Sequence, residues 1–447
     1  MAPFTNPTCG ILFTYFEGGE KTKSVKDARW LKSLLQHPLY SDHELDAYDP
    51  DTEKQRLNRF LDTGDNAFGT DYGWKESSVE IPLPFEGRKT RRGENEAPKL
   101  TVNGVWHRNI ANIVQSALED PIFTTYNTTP FEQRWKTSDN RDIRVFSELY
   151  SSQAVLDAYE EINSAPRAPG DNLERIVVPL MLWSDATLLA NFGEASLWPI
   201  YLFLGNQSKY VRGKPTSQSC HHLAYIPKLP DDWQNTYAGI FGKPPTRDVH
   251  THLKRELIQA IWALLLRDKG FRRAYREGIV TKCGDGITRR GLIRFATYSG
   301  DYPEKIILCT IKFLGQMPCP RCFVLKVNIP DMGTRKDMEC RQNIRTDTMQ
   351  RQELVQKARN KIFKKGCPVN SKKITSLLGK YSYVPTTNAF SEFLFEENVN
   401  YFSLFPVDLL HEFELGVWKA VLIHLVRMVY SLGGSAIQVV NDRYAIW

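Results

Sequence analysis

Two aspartates have surroundings that suit them for metal chemistry. Asp185 follows the apolar run 175–183 (RIVVPLMLW), and Asp301 follows a second apolar run, 291–298 (GLIRFATY). Carboxylate oxygens are ligands that Mg²⁺ or Mn²⁺ prefers, and a carboxylate pair can hold the ions that assist displacement at a phosphodiester. The structural alternative is that each aspartate only caps a helix that follows its strand.

Both aspartates can act together only if the fold brings the ends of their strands side by side. The hydrophobic pattern predicts the order strand, strand, strand, helix, strand, helix, at residues 175–183, 198–205, 222–226, 249–267, 291–298 and 303–314. This is the order of the ribonuclease-H-like arrangement, in which the fourth strand lies beside the first. Pro179 argues against a central position for the first strand unless a bulge accommodates it.

The composition excludes several classes of protein. Hydrophobic residues make up 42% of the 447 positions and charged residues 24%, which excludes a disordered, collagen-like or coiled-coil chain. The longest apolar runs fall short of the roughly 18 residues that a membrane span requires, and the first residues do not resemble a signal peptide. Eight cysteines are too few for a disulfide scaffold. We therefore expect no membrane partner and a location in the cytosol or the nucleus.

The basic charge is concentrated in one segment. The net charge is +7, yet residues 333–373 hold 12 Lys/Arg against 4 Asp/Glu, which leaves 46 basic and 47 acidic residues elsewhere. Such a segment favours a nucleic-acid backbone as partner, although a solvated basic loop is the alternative. The candidate DNA-binding residues in this segment are Lys357, Arg359, Lys361, Lys364 and Lys365. Two further candidates, Arg212 and Lys214, lie outside it in the sequence KYVRGKP, which could also be a basic hairpin loop with no DNA role.

A CxxC motif is the second candidate metal site. Cys319 and Cys322 have a spacing at which two thiolates can share one Zn²⁺, and Cys340, Cys367 or His411 could complete the ligand set. The alternative is a pair of ordinary thiols, because there is no second CxxC motif in the sequence.

Long blocks of the sequence resemble a known family. Residues 177–233, from VVPLMLWSDATLL to AYIPKLPDDW, resemble the catalytic region of the Plavaka transposases, which belong to the Kyakuja–Dileera–Zisupton group of fungal DNA transposons. The resemblance continues in residues 104–121, 146–162, 254–266, 297–315, 319–322 and 407–427.

The resemblance implies a DDE-type transposase with a ribonuclease-H-like core. Asp185 of WSDAT and Asp301 of SGDYPEK would be its first two catalytic acids, with Mg²⁺ (or Mn²⁺) as cofactor. Transposon ends and target DNA would be the partners, and the nucleus the location. Gly300 stands where the family pattern has alanine.

The third acid is harder to place. The helix that starts at Asp408 offers Glu412, which we take as the predicted third ligand. The alternatives are that Asp408 is an N-cap, that Glu412 is an acid favoured in a first helical turn, and that the third acid lies beyond residue 447.

We expect an α/β fold with a ribonuclease-H-like mixed sheet, a helical N-terminal region, a basic and mainly helical insertion, and an incomplete C-terminus. The predicted parts are a loosely structured leader (1–100), a helical accessory region (101–168), the first part of the core (169–325), the basic insertion (326–405) and a truncated core helix (406–447). The predicted function is transposition chemistry on DNA, from a copy that is incomplete or degenerate. The alternative is a non-catalytic DNA-binding remnant. An oligomer is compatible with either.

Overall fold

A seven-stranded mixed sheet forms the centre of the structure, a computed structural model that describes residues 4–17, 25–62, 73–87, 93–188 and 196–444. In chain order, the described strands are β1 (Trp74–Pro82), β2 (Lys99–Arg108), β3 (Gln133–Lys136), β4 (Asp142–Val145), β5 (Glu174–Ser184), β6 (Thr187–Leu188), β7 (Ser196–Leu197), β8 (Pro199–Leu204), β9 (His221–Tyr225), β10 (Ile279–Lys282) and β11 (Thr288–Ser299). The order across the large sheet is β1-β2-β9-β8-β5-β11-β10, while β3–β4 and β6–β7 form separate pairs.

Strand β5 lies between β8 and β11, antiparallel to the first and parallel to the second. Its run of aliphatic residues is buried because neighbouring elements cover it on both faces. The β5–β8 ladder begins at Leu180, so Pro179 needs no N–H there, and its carbonyl accepts a hydrogen bond from Gly205 N at 2.8 Å. The argument from Pro179 against a central position is therefore wrong.

Helices surround the sheet. In chain order they are α1 (Pro7–Glu17), α2 (Val25–Leu35), α3 (Pro50–Asp62), α4 (Ile110–Glu119), α5 (Gln153–Ser164), α6 (Lys209–Arg212), α7 (Trp233–Phe241), α8 (Arg247–Arg267), α9 (Lys269–Glu277), α10 (Tyr302–Leu308), α11 (Arg335–Arg341), α12 (Met349–Phe363), α13 (Lys372–Leu378), α14 (Ala389–Leu394), a π-helical segment (Leu409–Trp418), α15 (Lys419–Ser431) and α16 (Gly434–Tyr444).

The long helix α8 connects the two halves of the sheet and packs against β1, α10 and α14. Thr246 caps it by accepting a hydrogen bond from Val249 N at 3.3 Å. The fully buried Trp262 lies at its centre, with ring centroids 5.5 Å from Tyr298 of β11 and 4.8 Å from Phe390 of α14. These contacts join the sheet, α8 and the following helices in one apolar core.

The predicted order of three strands, a helix, a strand and a helix is confirmed, with the short elements β6, β7 and α6 and the elements α7, α9 and β10 inserted into it. Part of the predicted leader contributes to the main sheet, since β1 pairs with β2. The predicted helical accessory region (101–168) begins with a strand, because residues up to Arg108 belong to β2, and its first helix starts at Ile110. The turn-forming residues of segment 86–98 predict a linker, and its residues 88–92 lie outside the described part of the chain.

The segment 326–405 is mainly helical, as predicted, and α12 and α14 bury apolar residues against the core. In contrast, no residue of 406–443 is buried. None of the helices in the described ranges is long and apolar enough to cross a membrane. All eight cysteines are free thiols.

Candidate active site

The ends of β5 and β11 place Asp185 and Asp301 next to each other. Ser299 pairs in parallel register with Trp183. One residue further, a Cβ built on Gly300 would lie 3.6 Å from the carbonyl oxygen of Ser184, so the two chains remain adjacent beyond the ladder. That spacing is an ordinary contact and would also accept the alanine expected there. Asp185 and Asp301 are the next residues on these two chains, and both are half-buried.

The two interpretations of Asp301, as a helix cap and as a metal ligand, are compatible in the structure. Its Oδ1 accepts a hydrogen bond from Glu304 N at 2.8 Å and so caps α10. Within the described residues, its other carboxylate oxygen has no hydrogen-bond partner. A helix cap therefore fixes this carboxylate while leaving one oxygen free for a ligand.

The charges around Asp185 show that several ionisable groups converge on it. Burial raises the pKa of Asp185, and the negative charges of Asp301 and Asp408 raise it further, while His411 opposes them. Crowded carboxylates of this kind are stabilised by a cation. The donor set consists of hard oxygen atoms, so the residues present fit a divalent ion such as Mg²⁺.

Asp408 lies close enough to act on the charge of Asp185, whereas Glu412 pairs with Lys305. Asp408 accepts hydrogen bonds from the backbone N–H groups of Leu410 and His411 at 3.0 and 3.2 Å, and its Oδ2 lies 2.6 Å from His411 Nδ1. Burial alone would raise the pKa of Asp408, but the hydrogen bonds from His411 outweigh it and lower the pKa. The bond to Asp408 raises the pKa of His411, and the charges of Asp185 and Asp301 add to this effect.

Glu412 forms an ion pair with Lys305 of α10, a lysine that is only 1% exposed and also donates to the carbonyl of Pro406 at 2.7 Å. The buried ammonium needs this carboxylate as its counter-charge. Glu412 is thus a partner of Lys305, which argues against the predicted third ligand. Among the residues that the structure describes, no group of three or more His, Cys, Asp or Glu is arranged to hold a metal ion.

Glu304 is a residue of the site that the sequence did not single out. It is buried behind the aspartate pair and hydrogen-bonds with Ser184 Oγ, which also lies 2.8 Å from the hydroxyl of Tyr298. Burial raises the pKa of Glu304 to about 7, and the charges of Asp301 and Asp185 contribute in the same direction. The spacing Asp301-x-x-Glu304, which is typical of a helix start, was the available signal.

Comparison with known proteins identifies the family. The sequence matches the Plavaka transposase family over residues 52–427. This chain belongs to the Plavaka transposase family. The match covers most of the chain and confirms the resemblance. No curated protein matches the chain significantly.

In this Plavaka family member, the predicted DNA-binding residues fall into two groups. Arg359 is buried, with Nη1 and Nη2 2.7 and 3.0 Å from the carboxylate of Glu256, and it also pairs with Glu94. Its guanidinium is buried and bound by these carboxylates, which argues against the predicted DNA contact. Arg212 is mostly buried beside Glu148, at 3.8 Å. The exposed candidates are Lys214, Lys357, Lys364 and Lys365, and Lys361 is half-buried.

The CPRC motif of this chain forms a thiol pair. Cys319 is half-buried and Cys322 is buried. A hydrogen bond between the two side chains, with Cys319 as acceptor, lowers the pKa of Cys319 to about 6, and it raises that of Cys322. Arg345 holds the loop by donating to the carbonyls of Met317 and Cys319, both at 2.9 Å. The zinc site stays a prediction, because no third ligand joins the pair within the described residues.

Proposed function

We propose that this chain is the catalytic region of a DDE-type DNA transposase, which hydrolyses a phosphodiester bond at a transposon end and joins the freed 3′-hydroxyl to target DNA. The observation that carries the proposal is the position of Asp185 and Asp301 at the ends of two adjacent parallel strands, in a chain of a transposase family. The strand order β9-β8-β5-β11, with α8 between β9 and β11, supports a ribonuclease-H-like core.

In this proposal Asp185 and Asp301 hold Mg²⁺ or Mn²⁺, and Asp408 replaces the predicted Glu412 as the third acid, approaching the pair more closely than in this structure when the ion binds. A divalent ion bound there would lower the pKa of the attacking water and stabilise charge on the leaving oxygen. The chain itself fixes the donors: α10 orients Asp301 through its cap, and the backbone N–H groups of Leu410 and His411 orient Asp408. His411 lies next to Asp408 at the edge of the site, with its Nδ1 2.6 Å from Asp408 Oδ2.

The exposed lysines at 357, 364 and 365 are the proposed contacts with the DNA backbone, and binding should weaken with salt as counterion release requires. Because the substrate is chromosomal DNA, we place the protein in the nucleus.

Substitution of the two aspartates tests the proposal, because it should abolish DNA cleavage without changing DNA binding. We expect Asp185→Asn and Asp301→Asn, each alone, to lower Mn²⁺-dependent nicking of a supercoiled plasmid by about a hundredfold or more, since even outer-shell metal partners are worth 10–100-fold. Salt-dependent DNA binding should be unchanged in both variants. Asp231→Asn, which changes an exposed aspartate far along the chain from both sites, is the matched control.

Nicking at the wild-type rate in both variants would refute the metal-site assignment. A wild-type protein that binds DNA and does not nick it would instead support the DNA-binding remnant.

A further inference from the structure

Three ring side chains lie in register across the sheet beside Asp185. Trp183 of β5 pairs with Tyr201 of β8, and Tyr201 pairs with His222 of β9. The rings of Trp183 and Tyr201 are stacked, with centroids 5.0 Å apart and planes at 21°, and His222 meets Tyr201 edge-on at 4.8 Å. We call Trp183, Tyr201 and His222 the aromatic row.

The aromatic row starts at the catalytic candidates. Trp183 and Asp185 are two residues apart at the extended end of β5, so their side chains leave the chain on the same side. The burial pattern agrees, because Leu182 and Ser184 are buried while Trp183 is 42% exposed. The row therefore extends from the aspartate pair across β5, β8 and β9.

Among the residues that the structure describes, one face of the Trp183 ring has no aromatic neighbour. Tyr201 covers the face on the β8 side, and the opposite face points toward β11. The residue of β11 in register with Trp183 is Ser299, whose side chain is small and half-buried. As far as the described residues define it, the space above Ser299 is a slot with the indole as one wall, two residues before Asp301 along the chain.

The chemistry of the slot favours a nucleobase over a phosphate. Burial raises the pKa of Tyr201, and the charge of Asp185 also raises it, so the phenol is neutral. Burial and the charge of Arg108 lower the pKa of His222, which keeps the imidazole neutral as well. An uncharged aromatic wall next to carboxylates attracts no anion, whereas every base has a π-face that can stack on an indole.

We propose that Trp183 stacks on an unpaired base of the DNA strand, held in the slot above Ser299 next to the scissile phosphate. The inference rests on the proposed function in one respect, namely that DNA is the substrate. A base fixed in this slot would set the register of the strand relative to Asp185 and Asp301. Trp183 is accordingly a positioning residue and not a metal ligand.

The experiment places 2-aminopurine, whose fluorescence is quenched by stacking, in a short single-stranded oligonucleotide and adds the full chain in the presence of EDTA. We expect quenching with the wild-type protein and its loss with Trp183→Ala, together with binding that is about tenfold weaker, the scale of one lost base–aromatic stack. Trp183→Phe should restore most of the quenching. Ser299→Phe, which fills the slot and keeps the indole, should remove it.

Trp135→Ala is the matched control, since Trp135 is 60% exposed on the β3–β4 hairpin and lies outside the row. It should quench as the wild-type protein does. Equal quenching by the wild-type, Trp183→Ala and Ser299→Phe proteins would overturn the proposal, and so would quenching that is lost equally in Trp135→Ala.

Asp185→Asn should keep the quenching while losing nicking. If it keeps both, the proposed chemistry fails and the stacking site stands.

Discussion

At the scale of single residues, two acids on the same segment have different partners in the structure. Asp408 and Glu412 lie one helical turn apart, and the sequence favoured Glu412 as the third ligand. Asp408 acts on the pKa of Asp185, whereas Glu412 neutralises Lys305. The partner of Glu412 lies on another helix, so no local pattern in the sequence could show the pairing.

The two acids should therefore respond differently to substitution. We expect Asp408→Asn to lower metal-dependent nicking at least about tenfold, with a small change in stability, because the half-buried cap can still accept hydrogen bonds. Glu412→Gln should leave the ammonium of Lys305 without its counter-charge and lower the free energy of unfolding by up to about 3 kcal/mol. Nicking rates and urea midpoints of both variants distinguish these effects.

The opposite pattern, in which Glu412→Gln loses nicking at unchanged stability and Asp408→Asn nicks normally, would restore Glu412 as the third ligand. Glu277→Gln changes an exposed glutamate paired with Arg273 at 2.9 Å and controls for the loss of a surface carboxylate.

At the scale of elements, a buried arginine, Arg359, holds the basic insertion to the core. The charge count of the segment had grouped this residue with the candidate DNA contacts. Arg359 of α12 donates to the carboxylate of Glu256 on α8, to Glu94 before β2, and to the carbonyl of Pro385 at 2.9 Å. Three segments distant in the sequence thus meet at one guanidinium. Charge counting treats Arg359 and its exposed neighbour Lys357 alike, because burial is a property of the fold.

We expect Arg359→Ala to lower the free energy of unfolding by about 3–5 kcal/mol, since it leaves buried carboxylates without their partner. Lys357→Ala, on the exposed side of the same helix, should change it by less than about 0.5 kcal/mol. Urea unfolding followed by circular dichroism measures both. Equal midpoints for the two variants would show that the buried cluster does not hold α12 in place.

The strands that could be predicted from the sequence are those whose buried residues form a continuous apolar run. Strands β5, β8, β9 and β11 are apolar enough to be recognised in the sequence. Strand β1 was missed because its buried positions are interrupted by polar ones in a region rich in turn-forming residues. The aspartate pair followed from the strand ends, whereas Glu304, Asp408 and the slot beside Trp183 depend on contacts between distant segments.

At the scale of the whole molecule, α8 is the element on which the sheet and the insertion both depend. His252 lies in its buried face, 1% exposed, and neither ring nitrogen has a hydrogen-bond partner in the described part of the chain. The nearest carboxylate, of Glu256, is 3.7 Å away and already bound by Arg359. Burial lowers the pKa of His252 to about 4, with Arg359 and Arg255 adding to the effect and Glu256 opposing it.

Acid should therefore destabilise the whole fold through this residue. In the unfolded chain the imidazole binds a proton near pH 6.5, and in the folded chain only near pH 4, so stability falls as the pH drops through that interval. At pH 5 the loss from His252 should be about 2 kcal/mol relative to pH 7. His252→Gln has no such proton, and its urea midpoint should fall less between pH 7 and pH 5 than that of the wild-type protein. His221, whose pKa burial also lowers to about 4, contributes equally in both proteins and cancels in the comparison. Identical pH dependence in the two proteins would mean that protonation of groups other than His252 destabilises the fold.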